Sequence, residues 1–142
     1  MTSEREIAQN CACLKVRMAA RAVTRAYDLA LKPVDLKVTQ FSLLVAASAR
    51  GPVSITALAE MLGMDRTTLT RNLGPLTRRG LVELGPEGYR RTRDVTITPQ
   101  GRAVLKQAIP RWESVQEELR RKLGREKWTG LYVGLDELIA MA

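Results

Sequence analysis

Six aliphatic positions around one glycine constrain the fold of this chain more than anything else in it: Leu58, Ala59 and Leu62 before Gly63, and Leu69, Leu73 and Leu76 after it. Steps of three and four place each set on one face of a helix. Ser54 stands as N-cap of the first, Ile55 to Leu62. Gly63 is placed to end it, and Asp65 to cap the next, Arg66 to about Arg79. Two helices joined by a tight glycine-containing turn make a helix-turn-helix.

The remaining periodicities surround that unit. Ile7, Cys11, Leu14, Met18, Ala22, Ala26 and Leu29 draw a stripe along one long helix over residues 5–31, ended by Pro33. Thr39 is the N-cap expected for a second helix, through Phe41, Leu44, Val45 and Ala47 to the break at Gly51-Pro52. Beyond Gly80, Leu81–Leu84 and Asp94–Thr98 alternate as strands do, and the turn residues and arginines between them predict a β-hairpin with a long basic loop. Thr98-Pro99 opens a helix carrying Leu105, Ala108, Trp112, Val115, Leu119 and Leu123, with a bend expected at Pro110. Gly124 ends it, and Trp128, Leu131, Leu135, Leu138 and Ile139 mark a last helix.

The fold class is therefore mainly α with a small β-hairpin wing, in a single domain of 142 residues. With aromatics at 4%, the core must be aliphatic. Residues 39–101 form the winged helix-turn-helix. The helices at 5–31 and 103–142 carry more apolar stripe than so small a unit can cover, which predicts a homodimer about a twofold axis.

Several functions are excluded early. The chain has no histidine, which removes Ser-His and Cys-His nucleophiles, histidine acid-base chemistry and most zinc sites. No enzyme activity, metal or cofactor is expected. No apolar run reaches the ~18–20 residues that span a bilayer, and the N-terminus MTSEREIAQN is too polar for a signal peptide, so a cytoplasmic protein without a membrane partner is expected. Two cysteines agree with a reducing compartment.

A formal charge of +8 points to a polyanionic partner, and its distribution narrows the choice. Residues 66–102 hold eight arginines and no lysine against three acids. Guanidinium binds guanine edges or phosphates through two donors at once, whereas membrane-surface segments run to lysine. On the second helix of the motif Arg66, Thr67, Thr70 and Arg71 lie opposite the leucines, with Thr68 and Asn72 at the flanks. Short hydroxyls and long arginines there suit close approach to a major groove. Arg90, Arg91 and Arg93 in the hairpin loop suit a narrow minor groove.

The run from Ser54 through Leu73, then Leu76-Thr-Arg-Arg-Gly-Leu-Val-Glu83, then Arg90-Arg-Thr-Arg-Asp-Val-Thr-Ile-Thr-Pro-Gln-Gly101, resembles the winged helix-turn-helix of the MarR family of bacterial transcription regulators, and the flanking helices follow the family's order. The resemblance implies a homodimer joined through its terminal helices on a pseudo-palindromic site in double-stranded DNA, and a repressor relieved by a small phenolic or anionic ligand or by thiol oxidation. It assigns Arg66, Thr67, Thr68, Thr70, Arg71 and Asn72 to the major groove and Arg90 and Arg91 to the minor groove. Two departures stand out. Tyr89 occupies the place of an acidic residue before the arginine pair, and Gly74-Pro75 should bend or shorten the recognition helix.

A family-like ligand pocket would draw on Arg17 or Arg21 for an anion, with Met18, Tyr27 and Trp112 as apolar walls. Cys11 and Cys13 are the residues for a thiol switch; two apart on a helix, they point in different directions, which leaves pairing across a dimer or single oxidation. A winged-helix dimerisation module that does not bind DNA is the alternative from another class. RNA binding lacks the exposed aromatics that stack unpaired bases.

Overall fold

The computed structural model describes residues 1–88 and 92–142. Its elements in chain order are α1 (Glu4–Asn10), α2 (Ala12–Leu31), a 3-10 turn (Lys32–Val34), α3 (Val38–Arg50), β1 (Val53–Ser54), α4 (Ile55–Met61), α5 (Arg66–Arg78), β2 (Val82–Leu84), β3 (Asp94–Ile97), α6 (Pro99–Leu123) and α7 (Arg125–Ile139). Among the described residues no helix is long and apolar enough to cross a membrane.

The core sits where α3, α4, α5 and α6 meet the sheet. Leu43, Leu44, Ala47, Leu58, Leu69, Leu73, Leu76, Val82, Val95, Ile97 and Ala108 are buried together. The sheet is antiparallel with β3 in the centre, Val95 facing Val53 on one side and Leu84 on the other. Alternation along β3 buries Val95 and Ile97 while Asp94 stays exposed. The short strand β1 is additional to the expected hairpin, because two residues carry no alternation that could announce a strand.

The long N-terminal helix expected over residues 5–31 is two helices, broken at Cys11, whose backbone is extended. Asn10 turns its side-chain amide onto the Glu6 carbonyl (3.0 Å), a local bond of the kind that competes with helix continuation. Thr39 does not cap α3. The N-cap is Lys37, two residues earlier, with the Val38 amide donating to Asp28 Oδ1 (2.8 Å) and the Lys37 amide to Gln40 Oε1 (2.9 Å). A carboxylate from α2 thus replaces a local cap.

Pro75 and Pro110 do not interrupt their helices, and α5 is not shortened: it runs through Gly74 and Pro75 to Arg78, while α6 is continuous from Pro99 to Leu123. Leu73 and Leu76, both buried, bracket Pro75 and hold that segment against the core.

The junction between sheet and α6 is tightly built. Thr98 caps α6 by accepting the Gly101 amide (3.0 Å), donates its hydroxyl to the Gly80 carbonyl, and donates its amide to the Leu81 carbonyl (3.1 Å). That last contact brings Leu81 across the first turn of α6 at Gly101. A Cβ there would lie 2.1 Å from the Leu81 oxygen and 2.8 Å from Ile97 Cγ1. Gly101→Ala should therefore destabilise the chain by at least about 2 kcal/mol, the upper range for overpacking a rigid site. Urea unfolding would register this as a lower midpoint at unchanged slope.

Candidate nucleic-acid interface

The turn between α4 and α5 is fixed at both ends. Ser54 accepts the Ala57 amide (3.1 Å) to start α4. Gly63, at φ 61°, ends it in a conformation that favours glycine. Asp65 then accepts the Thr68 amide on one carboxylate oxygen (2.8 Å) and the Thr68 hydroxyl on the other (2.8 Å). Those bonds, the amide's first, hold its carboxyl below the ordinary carboxylate range.

With Leu69, Leu73 and Leu76 buried, the opposite face of α5 is presented outward. Arg66, Thr67, Thr70 and Arg71 are exposed and together line a shallow groove of about 450 Å³. The Thr70 hydroxyl rests on the Arg66 carbonyl (2.9 Å), which leaves its oxygen free to accept. Arg71 has no partner among the described residues.

Thr68 and Asn72 are placed differently. Both are half-buried. Thr68 spends its hydroxyl on Asp65, while the Asn72 amide donates to the Thr68 carbonyl (2.9 Å) and its Oδ1 accepts the Thr39 hydroxyl of α3 (3.2 Å). These side chains orient α5, and Thr39, expected as a cap, is their partner across 33 residues of sequence. No local signal marks such a pair.

The wing is described up to Gly88 and again from Thr92. Gly85 donates to the Asp94 carbonyl (2.8 Å) and Gly88 to the Thr92 carbonyl (2.6 Å), extending the β2–β3 ladder outward. Arg90, Arg91 and Tyr89 lie outside the described residues. Arg93 is exposed but not idle: its Nε donates to the Gly85 carbonyl (2.9 Å), bracing the hairpin, and its own carbonyl accepts the Ile55 amide (3.0 Å), joining the wing to α4.

Residues assigned to a ligand pocket are divided. Arg17, Met18 and Arg21 lie on the exposed face of α2. Tyr27 is buried, its hydroxyl donating to Gln116 Oε1, and burial, followed by the neighbouring Tyr132, pushes its phenol upward so that it stays protonated. Trp112 stacks on Phe41 at 6.3 Å between ring centroids. Cys11 is half-buried at the helix break and Cys13 exposed, both free thiols. Cys11 is therefore not helical, as the sequence argument against pairing assumed. Among the described residues no group of ligating side chains could hold a metal.

A family model described as MarR family matches residues 34–91. The transcriptional regulator HosA of Escherichia coli is 32% identical over 94 residues, 66% of this chain and 70% of HosA. The multiple antibiotic resistance protein MarR of Salmonella typhimurium is 32% identical over 95 residues, a match spanning 66% of each chain. Among solved structures, the M. tuberculosis transcriptional regulator MosR in complex with DNA superposes with a TM-score of 0.82 at 39% identity, covering 91% of this chain and 93% of MosR.

The Asp65 cap carries a pH signature. Because its folded carboxyl is held below its ordinary value, the stabilisation is present above the ordinary range and is lost as pH falls through the lowered value. Thermal unfolding should show Asp65→Ala less stable at neutral pH and converging on the parent in acid. Asp65→Asn, a capping residue without a charge, should keep most of the stability with less pH dependence.

Proposed function

The chain belongs to the MarR family, and from that membership we propose that it is a dimeric transcription regulator that reads a pseudo-palindromic site in double-stranded DNA. It acts as a repressor relieved by a small-molecule ligand. We assign it no enzymatic role and place it in the cytoplasm with its DNA.

One observation carries this reading: α5 is bolted inward by three buried leucines and outward offers Arg66, Thr67, Thr70 and Arg71 as one uninterrupted face. A helix is about the width that a major groove admits. Arg66 and Arg71 reach for guanine edges or phosphate, and Thr67 and Thr70 permit close approach. Thr68 and Asn72 act by orientation. Arg90 and Arg91 join the minor-groove set by sequence position, and Arg93 supports the wing from its base.

The twofold partner follows from what the single chain leaves uncovered. Neither α1 nor α7 has a buried residue. Yet Ile7, Leu131, Leu138 and Ile139 stand open to solvent, Ile139 at 71% of its surface. Exposed large apolar side chains gathered on one helix, as on α7, mark an interface. A second copy covers it and sets two α5 helices on successive turns of the duplex, about 34 Å apart. The thiol-switch alternative at Cys11 and Cys13 and the module without DNA gain no support from the geometry.

Selection of bound duplexes from a random library should return a consensus of two inverted half-sites. Arg71→Ala should weaken binding to that consensus by about 1–3 kcal/mol and relax preference at one position of each half-site, while leaving unfolding unchanged. Equal affinity of parent and variant, in fluorescence anisotropy at moderate salt, would remove Arg71 from the reading face. Leu131→Glu combined with Leu138→Glu should give monomers in sedimentation velocity and lose the two-half-site preference.

A further inference from the structure

Gly74 sits inside α5, four residues after Thr70 and three after Arg71, which places it on the face opposite the buried leucines. Only proline is a poorer helix former than glycine, and the core does not call for one at this position. Apart from the helix backbone and its chain neighbours, the one atom that a Cβ on Gly74 would meet is Arg78 Nη1, at 3.2 Å. That separation is tighter than an ordinary van der Waals contact, so the arginine occupies the space a side chain would take.

The placement follows from helix geometry. Side chains lean toward the N-terminus of their helix and cover the turn before their own, and for Arg78 that turn carries Gly74. Arg78 is exposed and makes no hydrogen bond or ion pair among the described residues. It does not serve the end of α5, where it would donate to the last carbonyls; Arg79 makes the tertiary clamp there. Arg71 and Arg78 stand two turns apart, about 10 Å along the axis, and leaning back by one turn brings the Arg78 guanidinium to within about 5 Å of the level of Arg71. A cation with unspent donors therefore extends the outward face of α5. Bases are met by the N-terminal part of a reading helix, so a cation from its last turn is placed for the phosphates that border the groove.

We propose that Gly74 is a seat for the Arg78 guanidinium, and that Arg78, laid over it, donates to one backbone phosphate at the edge of the groove in each half-site. The inference rests on the DNA-reading role of α5. Arg78 is the binding residue and Gly74 a positioning residue that acts through it. A longer side chain at position 74 would lift the guanidinium off the helix without harming the fold, since no core atom lies where that side chain would start.

Fluorescence anisotropy of the full chain on its selected duplex, across a series of salt concentrations, tests both parts. Arg78→Ala should weaken binding about threefold or more and lower the slope of log K against log salt by about 0.9 for each half-site, as a lost phosphate contact does. Its consensus and its urea unfolding should match the parent's. Arg78→Lys keeps the charge and should recover most of the slope. Gly74→Gln introduces a good helix former; it should retain helical circular dichroism and weaken binding about as much as Arg78→Ala does. The double variant Gly74→Gln/Arg78→Ala should bind no worse than Arg78→Ala alone, because coupled residues are not additive. Parent affinity and slope in Arg78→Ala would remove the contact. A blurred consensus at unchanged slope would make Arg78 a base reader and overturn the phosphate assignment. Losses that multiply in the double variant would show Gly74 acting without Arg78 and overturn the seat. A parent chain that selects no duplex would refute the DNA-reading role itself, and this contact with it.

Discussion

The burial of Leu69, Leu73 and Leu76 is the interaction on which the rest of the structure depends. All three are at most 2% exposed. Their removal from water is worth about 2 kcal/mol each, which together exceeds the roughly 3 kcal/mol cost of a proline inside a helix. That inequality is why α5 persists through Pro75 although the local sequence argues for a break. It also determines what the other side of the helix can be. Once three leucines fix its rotation about its own axis, Arg66, Thr67, Thr70 and Arg71 have nowhere to point but outward, so core and interface arise from one periodicity.

Rotation alone does not aim a helix; its tilt and its start need separate constraints, and these are polar. Asp65 and Thr68 close the first turn on themselves. The Thr39 hydroxyl holds Asn72 from α3, and Arg79 ties the far end to the Val34 and Asp35 carbonyls at the end of the 3-10 turn. Polar residues on α5 therefore divide into those turned inward against α3 and the helix start and those left exposed to solvent. The division does not follow residue type. Thr68 and Thr70 both donate their hydroxyls within the helix, yet Thr68 is half-buried and Thr70 exposed.

Much of this was legible in the sequence because it is encoded locally. Ser54, Asp65 and Thr98 announce helix starts by their chemistry, and Gly63, Gly80 and Gly124 announce ends through their positive φ. The leucine spacing identifies the buried side of α5 without knowledge of what buries it. What stayed hidden depends on contacts between distant segments. Asp28 caps a helix ten residues away, which no local pattern around Thr39 encodes. Strand β1 exists only because β3 lies beside it. Arg93 reads as one more loop cation until Gly85 is placed opposite it.

The frame around the reading helix has its own logic. Tyr27 donates to Gln116, and the Gln116 amide donates to the Tyr132 hydroxyl (3.1 Å), a chain of bonds that links α2 to α6 and α6 to α7. A buried phenol donating to an amide oxygen is directional, so the helices are fixed in register as well as in contact. In a twofold assembly this matters more than in a monomer. In the proposed dimer the distance between the two α5 helices is set by the terminal helices, and an error of a few ångströms there would place one α5 over a phosphate ridge while the other sits in its groove. Specific hydrogen bonds between these helices supply a register that apolar packing, which is non-directional, cannot. Polar bonds in the frame and exposed arginines on α5 are thus two parts of one requirement of the proposed function: charge offered to a duplex is useful only if the spacing between its two copies is held by something stiffer than the hydrophobic effect.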